Sequence, residues 1–211
     1  MSRGFFISFE GIDGAGKTSH LLAAANFLEQ QGYSVVKTRE PGGTDLAEQL
    51  RQLILHQTMQ LETEALLLYA ARCQHVHEVI KPALKAGKVV LCDRFEDSSF
   101  AYQVHAGGLT YSKLQQLSEW ALNRFEPDCT FLFDLPVQLA LTRRTHRHSV
   151  VDKFENRSES LMQQVRQGFL EQAKNHPQRI RVIQASLSEH EVWQQVQAEL
   201  LQWIGSQKSC G

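Results

Sequence analysis

The chain has 211 residues, 42% of them hydrophobic, and its 22 basic and 23 acidic side chains leave a formal net charge of −1. This length and apolar content favour a single domain over residues 1–211, with a sizeable core. The balanced charge excludes a global basic field that would draw the protein onto nucleic acid or an anionic membrane. We therefore expect neither partner, and any phosphate-binding site must be local.

Short strand-like runs alternate with helical stretches along the chain. Apolar runs rich in β-branched or aromatic residues predict strands at 5–9, 33–37, 89–92, 129–133 and 180–183. Helical periodicity and capping residues predict helices at about 18–31, 44–56, 61–86, 111–124, 137–146, 155–175 and 188–205. The alternation predicts an α/β fold, a five-stranded parallel sheet with helices on both faces.

A glycine-rich octet stands between the first predicted strand and the first predicted helix, which is the context that a phosphate-binding loop requires. In such a loop the backbone N–H groups surround phosphate oxygens, Lys17 reaches the β- and γ-phosphates, and Thr18 holds Mg²⁺. The octet therefore predicts binding of a nucleoside triphosphate. It consists of Gly11, Ile12, Asp13, Gly14, Ala15, Gly16, Lys17 and Thr18, matching G-x-x-x-x-G-K-[ST].

Polar side chains follow three of the predicted strands. Asp13, Arg39 and the pair Asp93-Arg94 each come just after a strand, and in parallel sheets ligands bind beyond the carboxyl ends of the strands. A carboxylate at Asp93 can hold Mg²⁺ or its waters, while the Arg94 guanidinium can bridge donor and acceptor phosphates. The pair therefore predicts a phosphoryl-transfer centre; a structural pair that closes the sheet rim is the alternative.

Four blocks of sequence together resemble the bacterial thymidylate kinase family. They lie within residues 9–18, 38–44, 70–75 and 93–103, and the resemblance spans about residues 5–175. It implies a P-loop kinase fold with a short basic lid at about 142–154. It also implies transfer of the ATP γ-phosphoryl group to dTMP, which forms dTDP for dTTP biosynthesis, with Mg²⁺ as cofactor and a homodimer as the assembly.

The resemblance carries roles onto individual residues in the acceptor site. Asp13 would approach the acceptor's 3′-hydroxyl and the metal waters, and Arg94 would hold the acceptor phosphate. Arg72 would donate to thymine O4 and Ser99 would contact the base edge, while Tyr102 would crowd the sugar C2′ and disfavour ribonucleotides.

Two further arginines are candidates for substrate binding. Arg39 lies in the loop after the second predicted strand, and Arg51 lies on the amphipathic stretch 44–56. A solvated helix face is the alternative role for Arg51.

A basic lid that closes over the site excludes water and brings positive charge to the γ-phosphoryl group. Family members with Gly-Ala in the phosphate loop, as Gly14-Ala15 here, supply a catalytic arginine from this lid. Glu155 matches a family carboxylate near the metal. The alternative for any one lid arginine is an exposed basic helix end that interacts with the helix dipole. The candidates, between which the sequence does not choose, are Arg143, Arg144 and Arg147.

Two positions depart from the family pattern. Leu68 stands where the family commonly places a phenylalanine that stacks on thymine, so we expect weaker or rebuilt stacking. The lid has no glycine, and Lys153 stands where an arginine often occurs, which supplies charge without a bidentate fork.

Other features favour structural roles. His75 and His77 are two apart on a predicted helix and point in different directions, so we expect a helix surface rather than a metal site. The run 65–71 suits either a buried helix or a dimer face. With no long apolar segment, we expect a cytoplasmic protein. Free thiols are expected at Cys73, Cys92, Cys129 and Cys210.

Three other functions compete with this reading. A kinase for another nucleoside monophosphate or a nucleoside would share the phosphate loop and lid and differ only in the acceptor pocket. A regulatory GTPase should carry an Asn-Lys-x-Asp motif, which the chain lacks. A nucleic-acid motor should carry a basic track or additional domains. The first of these is the main alternative.

Overall fold

A computed structural model describes residues 4–145 and 158–209 of the chain. Its centre is a sheet with the strand order β2-β3-β1-β4-β5, in which every neighbouring pair is parallel. The predicted five-stranded parallel sheet is therefore confirmed, and each predicted strand lies within two residues of the observed one. The strands are β1 (Phe6–Glu10), β2 (Val35–Arg39), β3 (Val89–Asp93), β4 (Cys129–Asp134) and β5 (Ile180–Gln184).

Helices pack around the strands, and side-chain caps stabilise the first turns of two of them. The Thr44 side chain accepts a hydrogen bond from the backbone N–H of Ala47, and Ser188 and Glu191 form a capping box. The helices are α1 (Lys17–Gln30), α2 (Asp45–His56), α3 (Leu61–His75), α4 (Lys81–Lys85), α5 (Glu96–Ser99), α6 (Tyr111–Leu122), α7 (Val137–Thr145), α8 (Glu159–Asn175) and α9 (Glu189–Ser209).

Two helical segments differ from the prediction. The stretch predicted as one helix at 61–86 contains a π-helical turn, Val76–Ile80, between α3 and α4. This wider turn comes just before Pro82, which has no N–H to donate. A second π-helical segment, Phe100–Ala106, continues from α5 and was not predicted, because it is short and shows no apolar periodicity.

The two faces of the sheet carry separate apolar clusters. Alternate residues of β1 point to opposite sides, so Ile7 joins one cluster and Phe6 the other. The Ile7 side is covered by α1 and α9, and the Phe6 side by α3 and α6. Free thiols are confirmed within the described residues, where Cys92 and Cys129 are buried and Cys73 is half-buried. None of the described helices is long and apolar enough to cross a membrane.

The strand order places the chemistry-bearing loops side by side. Because β1 lies between β3 and β4, the phosphate loop after Glu10 adjoins Asp93 and Arg94 at the end of β3. The loop that starts at Glu40 follows β2, the other neighbour of β3. The carboxyl ends of three adjacent strands therefore form one rim.

Candidate active site

The phosphate loop is held in shape by close backbone packing and by its own lysine. Gly11 has φ +137°, and a Cβ there would lie 2.5 Å from the carbonyl oxygen of Phe133, so only glycine fits. The buried Lys17 Nζ donates to the carbonyl oxygens of Gly11 and Ile12, each at 3.0 Å. Burial, and secondly the positive charge of Arg94, lower the pKa of Lys17 to about 8.

Thr18 and Asp93 form the oxygen pair that could hold a metal. The Thr18 hydroxyl donates to Asp93 Oδ2 at 2.6 Å. Hydroxyl and carboxylate oxygens are hard ligands of the kind that Mg²⁺ takes, together with water and phosphate oxygens. Within the described ranges, no group of three or more His, Cys, Asp or Glu residues could hold a metal ion by itself. The residues present therefore fit a Mg²⁺ that shares its ligands with a bound nucleotide.

Arg94 is the centre of a cluster of polar side chains on the rim. Its Nη2 donates to Asp13 Oδ1 at 2.5 Å and to the Tyr102 hydroxyl at 3.4 Å, and its Nη1 donates to Ser98 Oγ at 3.1 Å. The guanidinium lies over the Tyr102 ring at 5.3 Å from the centroid. The backbone of Arg94 has φ +70°, a conformation that is uncommon for non-glycine residues and costly enough to need support from its surroundings.

A buried carboxylate that sequence reasoning missed lies behind Arg94. Glu10 Oε1 accepts from the backbone N–H of Phe95 at 2.7 Å, and its Oε2 accepts from the Ser98 hydroxyl at 2.6 Å. Burial, and secondly the charge of Asp97, raise the pKa of Glu10 to about 7, against the opposing effect of Arg94. Its place at the carboxyl end of β1 was the signal that could have identified it.

Arg72 is the centre of a second, more enclosed cluster. Its Nε donates to Glu40 Oε2 at 2.6 Å, its Nη1 to Ser99 Oγ at 3.1 Å, and its Nη2 to the carbonyl oxygen of Phe95 at 3.2 Å. Only 2% of the Arg72 side chain and 3% of the Glu40 side chain are exposed. Leu68 is buried one turn earlier on α3, so it shares a helix face with Arg72.

His75 does not lie on a helix surface, and that prediction was wrong. The ring is fully buried; its Nδ1 lies 2.9 Å from Glu40 Oε1 and its Nε2 lies 2.7 Å from Thr38 Oγ1. A buried imidazole is stable there because both ring nitrogens have partners. His77 is exposed, in agreement with the prediction. Glu40 was also missed, although its place directly after β2 matched the rule that pointed to Arg39.

The two arginines predicted near the loop after β2 contact groups of that loop and of α2. Arg39 forms an exposed ion pair with Glu48 at 3.0 Å, and the Arg51 Nη1 donates to the carbonyl oxygen of Pro41 at 2.8 Å. Arg51 therefore holds the loop after β2 rather than facing only solvent.

The lid candidates are described only in part. Arg143 donates to the carbonyl oxygen of Ala185, beyond β5, at 3.1 Å. Arg147, Lys153 and Glu155 lie outside the described residues, as does the side chain of Arg144.

The phosphate loop carries a lysine and is flanked by a hydroxyl–carboxylate pair and by an arginine that follows the adjacent strand of the sheet. These features together define the class of P-loop kinases. A family model described as thymidylate kinase matches residues 9–196. The chain belongs to the thymidylate kinase family. The predictions of this fold and of a kinase from this family are confirmed.

Relatives extend the match over nearly the whole chain. The thymidylate kinase of Paraburkholderia xenovorans is 50% identical over 192 residues, which cover 89% of this chain and 93% of the relative. That of Methylobacillus flagellatus is 48% identical over 181 residues, 86% of this chain and 89% of the relative. A crystal structure of thymidylate kinase from Ehrlichia chaffeensis is 35% identical, covers 94% of this chain and 99% of its own, and superimposes with a TM-score of 0.74.

Proposed function

We propose that the chain transfers the γ-phosphoryl group of ATP to dTMP, forming dTDP and ADP, as one domain in the cytoplasm. The observation that carries this proposal is the pair of arginine clusters on one rim. Arg94 lies beside the phosphate loop, and Arg72 contacts Ser99, the neighbour of the Ser98 that Arg94 contacts. Family membership supports the choice of acceptor.

The phosphate side would work by positioning and charge neutralisation, with no covalent enzyme intermediate. Lys17 would exchange its two carbonyl contacts for the β- and γ-phosphate oxygens, and Arg94 would hold the acceptor phosphate between the two substrates. Thr18 and Asp93 would hold Mg²⁺, which supplies further positive charge to the phosphates. Glu155 and a lid arginine remain proposed contributors.

The base would be read in the pocket beside Arg72. Three donor nitrogens of Arg72 already have acceptors in the protein, yet each terminal nitrogen carries a further N–H that can reach thymine O4. Ser99 would contact the base edge, and Leu68 would form an apolar wall; both side chains are buried. Tyr102, packed edge-on against Phe169, would exclude a 2′-hydroxyl.

Asp13 and the two loop arginines complete the proposed substrate site. Asp13 lies beside Arg94 and is 32% exposed, so its carboxylate can reach the acceptor's 3′-hydroxyl. Arg39 and Arg51 shape the loop after β2 through Glu48 and Pro41 and would approach the substrate from there.

We also propose a homodimer, and exposed leucines on two packed helices support it. Leu66 on α3 is 57% exposed, and Leu46 and Leu53 on α2 are 47% and 46% exposed. An apolar face of this kind is commonly covered by a second subunit. Light scattering after gel filtration should give twice the 24.0 kDa chain mass.

The assay that tests the function measures ADP formation from ATP and Mg²⁺ with dTMP, dUMP, UMP, dCMP, AMP or no acceptor. We expect the highest kcat/KM with dTMP and a strong preference for dTMP over UMP and AMP. A different preferred acceptor would overturn the assignment of dTMP and leave a kinase for another nucleotide. ADP formation no faster than the no-acceptor control with every acceptor would overturn the kinase activity itself.

A further inference from the structure

An almost fully buried network of charged and polar side chains extends from Arg72. It runs from Arg72 to Glu40, from Glu40 to His75, and from His75 to Thr38, with heavy-atom distances of 2.6, 2.9 and 2.7 Å. The side chains of Arg72, Glu40 and His75 are 2%, 3% and 0% exposed. These residues come from α3, the loop after β2 and β2 itself, so the network exists only in the folded chain.

The chemistry of the partners fixes the direction of these hydrogen bonds. An ionised carboxylate only accepts, so His75 Nδ1 must carry a proton and donate to Glu40. At Nε2 the ring contacts the Thr38 hydroxyl, which can either donate or accept. Each oxygen of Glu40 is therefore held by a different donor, one from Arg72 and one from His75.

We propose that His75 is a positioning residue for base recognition: by holding Glu40, it fixes the angle at which Arg72 presents its N–H groups to the base. The inference rests on the proposed base-reading role of Arg72. Without the His75 donor, one buried oxygen of Glu40 loses its partner and the carboxylate becomes able to turn. Arg72 then loses its fixed ion-pair geometry, and a bond to an oxygen at position 4 of a pyrimidine weakens.

Gly43 shows that the loop after β2 packs directly against the network of Arg72, Glu40 and His75. A Cβ at Gly43 would lie 2.6 Å from His75 Nε2 and 2.7 Å from Thr38 Oγ1, and the residue has φ +88°. The imidazole therefore occupies space that only a glycine leaves open. The backbone of this loop, the ring of His75 and the guanidinium of Arg72 thus form one packed assembly.

The first test compares His75→Leu, His75→Asn and the exposed control His77→Asn in steady-state kinetics. Leucine removes both ring nitrogens, whereas the asparagine amide can still donate to Glu40 from the place of Nδ1. We expect His75→Leu to lower kcat/KM for dTMP by about 10- to 100-fold and to narrow the preference for dTMP over dCMP. The KM for ATP should change less than about twofold, because the phosphate loop is not touched. His75→Asn should recover most of the loss, and His77→Asn should match the wild type.

The second test observes Arg72 without reference to turnover. The Nε–H signal of Arg72, assigned in a ¹⁵N–¹H spectrum with an Arg72→Lys variant, should be shifted and protected from hydrogen exchange in the wild type. We expect His75→Leu to lose that protection and His75→Asn to retain it. If the wild type failed to phosphorylate dTMP, the proposed function would fall, while this spectrum would still decide whether His75 holds Arg72.

Two results would overturn the role of His75. One is a folded His75→Leu protein whose Arg72 Nε–H signal and whose ratio of dTMP to dCMP turnover equal those of the wild type. The other is an equal loss of kcat/KM for ATP and for dTMP, which indicates only a structural role. Circular dichroism and a thermal melt show whether each variant is folded. If His75→Leu does not fold, His75→Gln keeps the test decisive, because its amide reaches the place of Nε2 beside Thr38 and not that of Nδ1 beside Glu40.

Discussion

The two arginine clusters of the rim differ in how their charges are satisfied. Arg72 is bound by groups of the protein itself and is almost completely buried. Arg94 is 17% exposed, and its partner Asp13 is 32% exposed. The contacts of Lys17, with two carbonyl oxygens, are ones that phosphate oxygens can replace. The contacts of Arg72 are therefore complete once the chain folds, whereas those proposed for Lys17 and Arg94 would be completed by the substrates.

The pKa values reflect the same difference. On the phosphate side, burial lowers the pKa of Lys17 to about 8 and raises that of Glu10 to about 7. In both groups burial disfavours the charged form. For Lys17, the phosphates of a bound nucleotide would supply the missing opposite charge. The buried Arg72–Glu40 pair needs no such ligand.

The largest effect should follow from removing the phosphate-side lysine. Lys17→Ala should lower kcat by about 10³-fold or more, because an aimed positive charge next to the transferring phosphoryl group is lost. The fold should persist, since Lys17 contacts groups of its own loop, namely two carbonyl oxygens and the Asp13 carboxylate. Single-turnover kinetics and a thermal melt measure the two effects. Lys37→Ala, which removes an exposed lysine, is the control; full turnover by folded Lys17→Ala would contradict the mechanism.

Breaking the buried pair should instead change stability. Arg72→Met leaves the Glu40 carboxylate buried without its guanidinium and should lower the free energy of unfolding by about 3–5 kcal/mol. The double variant Arg72→Met/Glu40→Gln should recover most of that loss, because no uncompensated charge remains. Urea denaturation measures both. A loss below about 1 kcal/mol in the single variant, the value typical of exposed pairs, would show that water reaches Glu40.

Sequence patterns predicted the features that are determined by residues close together along the chain. The phosphate loop, the strands and the pair Asp93-Arg94 all follow from local motifs and alternation, and the structure places them as expected. His75 shows where this reasoning ends. Its partner Glu40 is 35 residues away, and the helix periodicity around it resembles that of a surface residue. Only the packing of α3 against the end of β2 shows that the ring is buried.

The segment after Asp93 also carries site residues on a backbone that the sequence did not predict. Residues 96–106 were not predicted as helical, because a turn of helix followed by a π-helical segment has neither the length nor the period of a regular helix. Yet this segment carries Ser98, Ser99 and Tyr102 to the two arginine clusters. The family resemblance identified Ser99 and Tyr102 without indicating the backbone that places them.

A pH titration should separate the two sides of the site. With a pKa of about 8 in the free protein, Lys17 is charged below that pH and loses its proton above it. We expect kcat/KM for ATP to fall about tenfold per pH unit above pH 8, since this parameter reports the free enzyme. The value of kcat should hold to higher pH, because bound phosphates favour the charged amine. If kcat/KM for ATP stayed constant up to pH 10, the predicted loss of activity on deprotonation of Lys17 would be wrong.

The smallest effect should come from restoring an aromatic wall on the base side. Leu68→Phe should raise kcat/KM for dTMP by about two- to tenfold, the equivalent of about 0.5–1.5 kcal/mol of ring stacking. The kcat/KM for ATP should stay constant, because Leu68 lies on the Arg72 face of α3, away from the phosphate loop. Leu201→Phe, at a half-exposed position on α9, controls for a general effect of added bulk. Because Leu68 is buried, a larger ring can also strain α3, and a thermal melt separates the two effects. A stable Leu68→Phe protein with unchanged dTMP kinetics would mean that thymine lies against another wall and that Leu68 does not contribute to base selectivity.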